Sequence, residues 1–245
     1  MNKFNYLLSI IILTVFLSAC KKETPVNNNT SNPLGNSSPT LPSGAAGALY
    51  AINSNAFTQG STITQGTAMA WFGSYTTTLQ AGAVTCNSDS LSTQIPLVSY
   101  SYPWYESTLS GNNIDFSMNT VTWVVGGSGS VPAINFTDNA IFPVVNNFNA
   151  PATVSLSQPL TVTFSIANPY DQVICTIQGS KTAVNLNYAS ATSVTFTAAQ
   201  LASTAVAGDN LLIQIMPVKW TTNTISGKVY YFVKENGFAQ YATAQ

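Results

Sequence analysis

Read for its apolar and polar positions, the chain changes character twice. Leu7 to Leu17 is a mostly apolar run behind one positive charge, Lys3. It falls short of the ~20 apolar residues that a membrane-spanning helix needs and fits the hydrophobic region of an export signal. Residues 24–45 show no apolar period; Asn, Ser, Pro and Gly dominate, which predicts a flexible tether without a core. About 22 such residues reach roughly 25 Å. From about Ala46 short runs rich in Val, Thr, Ile, Phe and Tyr alternate with polar residues, bounded by Gly, Asn, Ser and Pro clusters. That is the period of strands. No stretch keeps the helical spacing of an amphipathic helix, and only Ala198-Ala199-Gln200-Leu201 predicts a single helical turn.

Within residues 46–148 the pattern predicts strands around Ala68 to Phe72, Ala83 to Cys86, Leu97 to Tyr102 and Val121 to Val125. Asn112-Asn113 and Gly126 to Gly129 predict turns. Residues 149–245 read more clearly. Ala152 to Leu156 predicts a strand, and Leu160 to Ile166 is apolar at even and polar at the inner odd positions, one face in a core and one in water. Asn168-Pro169-Tyr170-Asp171 predicts a turn, because Pro fixes φ and the Asn and Asp side chains hold the bend. Gln172 to Gln178, Val184 to Tyr188, Ser193 to Thr197 and Leu211 to Val218 follow as strands. Asn236-Gly237, between Lys228–Glu235 and Phe238–Ala244, predicts a two-residue hairpin pairing Glu235 with Phe238 and Phe232 with Tyr241.

The expectation is an all-β protein of two β-sandwich domains, 46–148 and 149–245, joined at the turn-rich Asn146 to Pro151. The seven or so short strands of the second resemble an immunoglobulin-like or fibronectin type III-like sandwich, although a Cys…Trp…Cys signature is missing.

Leu17-Ser18-Ala19-Cys20 follows the apolar run. These four residues resemble the lipobox of bacterial lipoproteins. The resemblance implies a signal peptide at 1–19, cleavage before Cys20, acylation of that residue, and an acylated Cys with its tether at 20–45. At about 0.8 kcal/mol per buried CH₂, one chain binds marginally and two or more anchor stably. Lys21-Lys22-Glu23 resembles the short charged export signal of surface lipoproteins of Bacteroidota, and implies an outer-membrane anchor with the body facing outward; a generic linker start would leave it in the periplasm.

Composition narrows the chemistry. With 7 Lys and 8 acidic residues in 245, no Arg and no His, the formal net charge is -1 and only 6% of residues are charged. Nucleic acid is not an expected partner, since its binding rests on Lys and Arg neutralising phosphates. The absence of His removes Ser-His-Asp and Cys-His catalysis and His-ligated zinc. A two-carboxylate glycoside hydrolase is the enzyme class the inventory still permits, with Glu106, Asp115 and Asp138 as nearest candidates. Each stands in a polar or turn-like context, and the expectation is a protein that is not an enzyme. Asn87-Ser88-Asp89 and Asn112-Asn113-Ile114-Asp115 offer oxygen ligands without a full calcium-loop spacing, so neither metal nor cofactor is assigned. Asp89-Ser90-Leu91 resembles the three-residue O-glycosylation motif of Bacteroidota. Cys86 and Cys175 read as buried thiols in apolar strands, with a bridge in an oxidising compartment as the alternative.

One run has a functional flavour: Tyr100-Ser101-Tyr102-Pro103-Trp104-Tyr105-Glu106. Burial in a core is the commoner fate of such an aromatic stripe. Flat rings beside polar neighbours also stack on sugars or anchor protein interfaces. Tyr102, Trp104 and Tyr105 are therefore the ligand-binding candidates. The whole reads as a lipid-anchored, non-catalytic module that binds a glycan, peptide or partner protein. The alternatives are the glycoside hydrolase and an adhesion component without a small ligand.

Overall fold

The computed structural model describes residues 44–58, 61–74, 77–94, 104–107 and 113–245. Cys20, the export signal, the tether up to residue 43 and the strand expected at Leu97 to Tyr102 lie outside them, and Ala45, expected as the end of the tether, already begins the first strand. The protein is all-β. In chain order the strands are β1 (Ala45–Thr58), β2 (Ser61–Ser74), β3 (Thr77–Thr78), β4 (Val84–Cys86), β5 (Asp89–Gln94), β6 (Trp104–Ser107), β7 (Val121–Val125) and β8 (Ile134–Asp138). They continue as β9 (Val144–Asn149), β10 (Thr153–Val154), β11 (Leu160–Ala167), β12 (Gln172–Gln178), β13 (Ala183–Tyr188), β14 (Ser193–Phe196), β15 (Asn210–Ile225) and β16 (Lys228–Ala244). Among the described residues one short helix, α1 (Ala198–Thr204), lies before β15. Its start is a capping box: the Thr197 hydroxyl accepts from the Gln200 N–H and the Gln200 side chain accepts from the Thr197 N–H.

Thirteen strands form one sheet, in the order β13-β12-β15-β16-β1-β2-β6-β5-β4-β7-β8, with β10 beside β16 and β3 beside β2. A second sheet of three strands runs β14-β11-β9. The large sheet crosses the boundary expected at 146–151, because β1 pairs in parallel with β16 from Ala45↔Val229 to Phe57↔Gln240. The β15–β16 hairpin is the spine of the molecule. Its tip half carries Tyr230 and Phe232 into a core with Leu49, Phe72, Tyr105 and Trp123. Its base half carries Leu211, Ile213, Ile215 and Ala242 into a core with Val162, Phe164 and Phe196 of the small sheet and Leu201 of α1. The second core is thus a two-layer packing of sheet on sheet. Around the first, the sheet curls: β8 is its last strand, yet Phe136 stacks on Phe232 of β16 at 3.9 Å between ring centroids.

Alternation reads through where one face is wet. In β11 Val162 and Phe164 are buried while Thr161 and Thr163 are exposed. The hairpin expected at Asn236-Gly237 does not form. β16 runs straight through both residues, and the turn closes one strand earlier at Ser226-Gly227, both at positive φ (52° and 74°). Glu235 therefore pairs with Val218 and Phe232 with Thr221 on β15. Pro217 supplies the physical reason for the break in that ladder. It has no N–H to give, and pairing lapses between Ile215↔Phe238 and Val218↔Glu235, opposite Asn236 and Gly237. The gap is stitched from the other side, where the Asn55 side-chain amide donates to the Asn236 Oδ1 at 2.7 Å. A side chain at Gly237 would meet the Gln214 amide nitrogen at 2.9 Å, so this glycine serves close approach rather than a turn.

Candidate functional site

Of the residues singled out by sequence, Cys20 and Tyr102 lie outside the described residues. Trp104 and Glu106 are placed by their backbone on β6, Trp104 opposite Gln94 and Glu106 opposite Met69. Tyr105 is not at a surface, which corrects its assignment as a ligand-facing ring. It is 3% exposed, lies edge-on to Phe72 at 5.8 Å, and its hydroxyl accepts from the Ala81 N–H at 2.7 Å. The same hydroxyl donates to the Gln80 side chain at 3.2 Å. Pairing of Tyr105 with Ala70, itself in the first core, puts the ring inside.

The carboxylates hold turns. Asp115 is exposed and accepts from the Ser117 N–H at 2.8 Å, and that bond holds its carboxyl below the ordinary range. Asp209 accepts from the Val206 N–H and the Ser180 hydroxyl, which lower its carboxyl likewise. Asp171 takes Lys219 on one oxygen at 3.0 Å and the Trp220 N–H on the other at 2.8 Å. Asn87, in the possible oxygen-ligand loop, accepts from the Thr122 N–H and donates to the Asp115 and Thr120 carbonyls. Its side chain stitches strands together. Among the described residues no three His, Cys, Asp or Glu side chains stand together as a metal site. Ser90, in the possible glycosylation motif, is exposed on β5. Cys86 and Cys175 are free, buried thiols; burial raises both, Cys175 to about 12.

Two charged side chains of β16 itself, Lys234 and Glu235, are buried on its opposite faces. Lys234 is 1% exposed in the side chain and points into the seam between β16 and β8. Its ammonium donates to the carbonyls of Asn119 at 2.7 Å, Asp138 at 3.0 Å and Ala140. The Asp138 Oδ2 lies 3.6 Å away, and the Phe142 ring centroid 5.2 Å. Burial lowers the affinity of this amine for its proton, and Asp138 partly offsets that. Asp138 Oδ1 accepts from the Ala140 N–H at 2.9 Å and the Thr221 hydroxyl at 3.5 Å.

Glu235 faces the other way, toward an aromatic and aliphatic side of the large sheet. That side carries Tyr50, Ile52, Ile174, Met216, Val218, Tyr231 and Val233, all on β1, β12, β15 and β16. Register sets Glu235 between Ile52 and Val218, with Gln172 beyond. Burial alone pushes its carboxyl up to about 8, since no cation offsets the lost hydration. The sequence did carry a signal for both groups: Lys234-Glu235 is the only charged pair inside the apolar run from Val229 to Ala239.

No protein-family model matches the chain, and no curated protein matches it. The fold and the site define an all-β protein with three buried apolar clusters along one hairpin.

Proposed function

We propose that this is a lipid-anchored, outward-facing module of the outer membrane that binds or scaffolds rather than catalyses. The anchor rests on Leu17-Ser18-Ala19-Cys20, the outward orientation on Lys21-Lys22-Glu23, and the clearance from the membrane on the polar tether. The observation that carries the non-catalytic reading is the commitment of the carboxylates. Asp115, Asp138, Asp171 and Asp209 each accept a backbone N–H that fixes a local bend or strand end. A carboxylate so engaged is committed to holding the chain. The immunoglobulin-like reading attaches to the second core, where three strands pack over β12 and β15.

The second reading, a carboxylate hydrolase, has one feature in its favour, the burial of Glu235, which pushes its carboxyl up to about 8. A raised carboxyl is what a general acid requires. Glu106 does not stand at the span of a counterpart. Glu106 on β6 lies three strands away in the order β16-β1-β2-β6, about 14 Å across the sheet at backbone level, beyond the roughly 5–9.5 Å of a glycosidase pair.

The ligand is sought among glycans, peptides or partner proteins, with Trp104 as the residue to vary. A glycan array probed with the purified protein, then with Trp104→Ala, tests the proposal. Binding that is lost at unchanged melting temperature supports a sugar platform. Turnover of an arrayed glycan, abolished by Glu106→Gln or Glu235→Gln, overturns the non-catalytic reading.

A further inference from the structure

The seam between β16 and β8 holds an amine and a carboxyl in contact, out of water, and with their roles already divided. Lys234 and Asp138 side chains are 1% and 6% exposed, and they are 96 residues apart in sequence. The two oxygens of Asp138 differ. Oδ1 is held by the Ala140 N–H and the Thr221 hydroxyl, two donors placed to take charge on that atom. Oδ2 faces Lys234 Nζ at 3.6 Å. Three main-chain carbonyls and the Phe142 ring keep Nζ from turning away.

We propose that Lys234 and Asp138 condense into an amide that covalently ties β16 to β8. The step balances without a co-reactant. A proton passes from Nζ to Oδ2, which turns ammonium and carboxylate into amine and acid at once. The Nζ lone pair adds to Cγ, and the carbonyl electrons move onto Oδ1 between its two donors. Nζ then gives a second proton to Oδ2, the Cγ–Oδ2 bond breaks, and water leaves. One N–H remains on the amide. Burial favours the first and last stages: it already lowers the proton affinity of Lys234, and the product replaces a buried ion pair, which costs desolvation, with a neutral group.

The link has a structural use. β8 ends the order of the large sheet, and the curl that brings it back against β16 is held by side chains, Phe136 on Phe232 and Lys234 on the Asp138 strand end. Both described cysteines are free, so no disulfide closes that seam. An amide does the same work and is indifferent to reductant.

Proteolysis of the purified full chain followed by mass spectrometry tests the proposal. The expected result is a peptide from Val229 to Gln245, uncleaved by trypsin after Lys234, joined to the peptide that contains Asp138. The pair weighs one water less than the sum of its parts. Asp138→Ala and Lys234→Met separate the peptides and restore the lost water. The wild-type map stands alone should either variant fail to fold. Separate wild-type peptides at full mass, with Lys234 cleaved by trypsin, overturn the amide and leave an ammonium saturated by carbonyls. Loss of water confined to the Asp138 peptide, without a joined partner, overturns it as well.

Discussion

Glu235 makes the strongest residue-scale statement, because its burial has a sign that stability can report. The folded carboxyl keeps its proton up to about pH 8, whereas the unfolded one releases it near 4.5. Between those values the native state binds a proton that the unfolded state does not. Stability from this residue is therefore full below the unfolded value and is lost as pH rises toward the folded one. The loss runs at about 1.4 kcal/mol per pH unit while the folded group stays protonated. Urea midpoints should fall from about pH 5 to about pH 8 in wild type, and the slope should flatten in Glu235→Gln. Equal slopes would place the titration elsewhere. Tyr105 gives a second test at this scale. Tyr105→Phe keeps the ring beside Phe72 but strands the Ala81 N–H, so a loss of about 1–3 kcal/mol is expected in chemical denaturation. A neutral result would mean that water reaches Ala81.

Among the elements, the β15–β16 hairpin decides the architecture, and its turn shows how far the sequence could be read. Two dipeptides compete for the reversal. Asn236-Gly237 has the stronger local preference, yet Ser226-Gly227 wins, because a turn at Asn236 would remove the pairing of β16 beyond it, Asn53↔Asn236 to Phe57↔Gln240 with β1 and Ile215↔Phe238 to Asn210↔Thr243 with β15. Tertiary pairing overrode the local signal. Gly227 at φ 74° carries the bend, so Gly227→Ala should cost about 1–2 kcal/mol, seen as a lowered melting temperature. Gly237 is not at positive φ, and Gly237→Ala should act instead by displacing the flexible end of Gln214, with a smaller loss. A reversed order of the two losses would put the turn back at Asn236.

Strands with one wetter face were legible, since the Leu160 to Ile166 alternation and Val121–Val125 stand where their patterns put them, and so was Gln172–Gln178, which is buried on both faces. The helical turn after Thr197 was visible too, as Ala198–Thr204. The parallel pairing of β1 with β16 was not, since a contact across some 180 residues leaves no period in either strand. Nor was the fate of Tyr105, which depends on β6 pairing with β2 rather than on the aromatic run itself.

For the whole molecule the shared hairpin predicts interdependence of the halves. Residues 149–245 alone would lack β1, and Tyr230 and Phe232 would lose the core they enter. That fragment is expected to melt without a cooperative transition, followed by circular dichroism; a sharp transition would show that the second core suffices. The body so built is proposed to ride on a lipid, and that claim is the one on which the functional reading depends. The measurement that tests it most directly is palmitate labelling with membrane fractionation of wild type against Cys20→Ala. The account predicts a labelled, membrane-bound wild type and an unlabelled variant released from the membrane. A variant that stays in the membrane fraction, or a wild type that takes up no label, would contradict it.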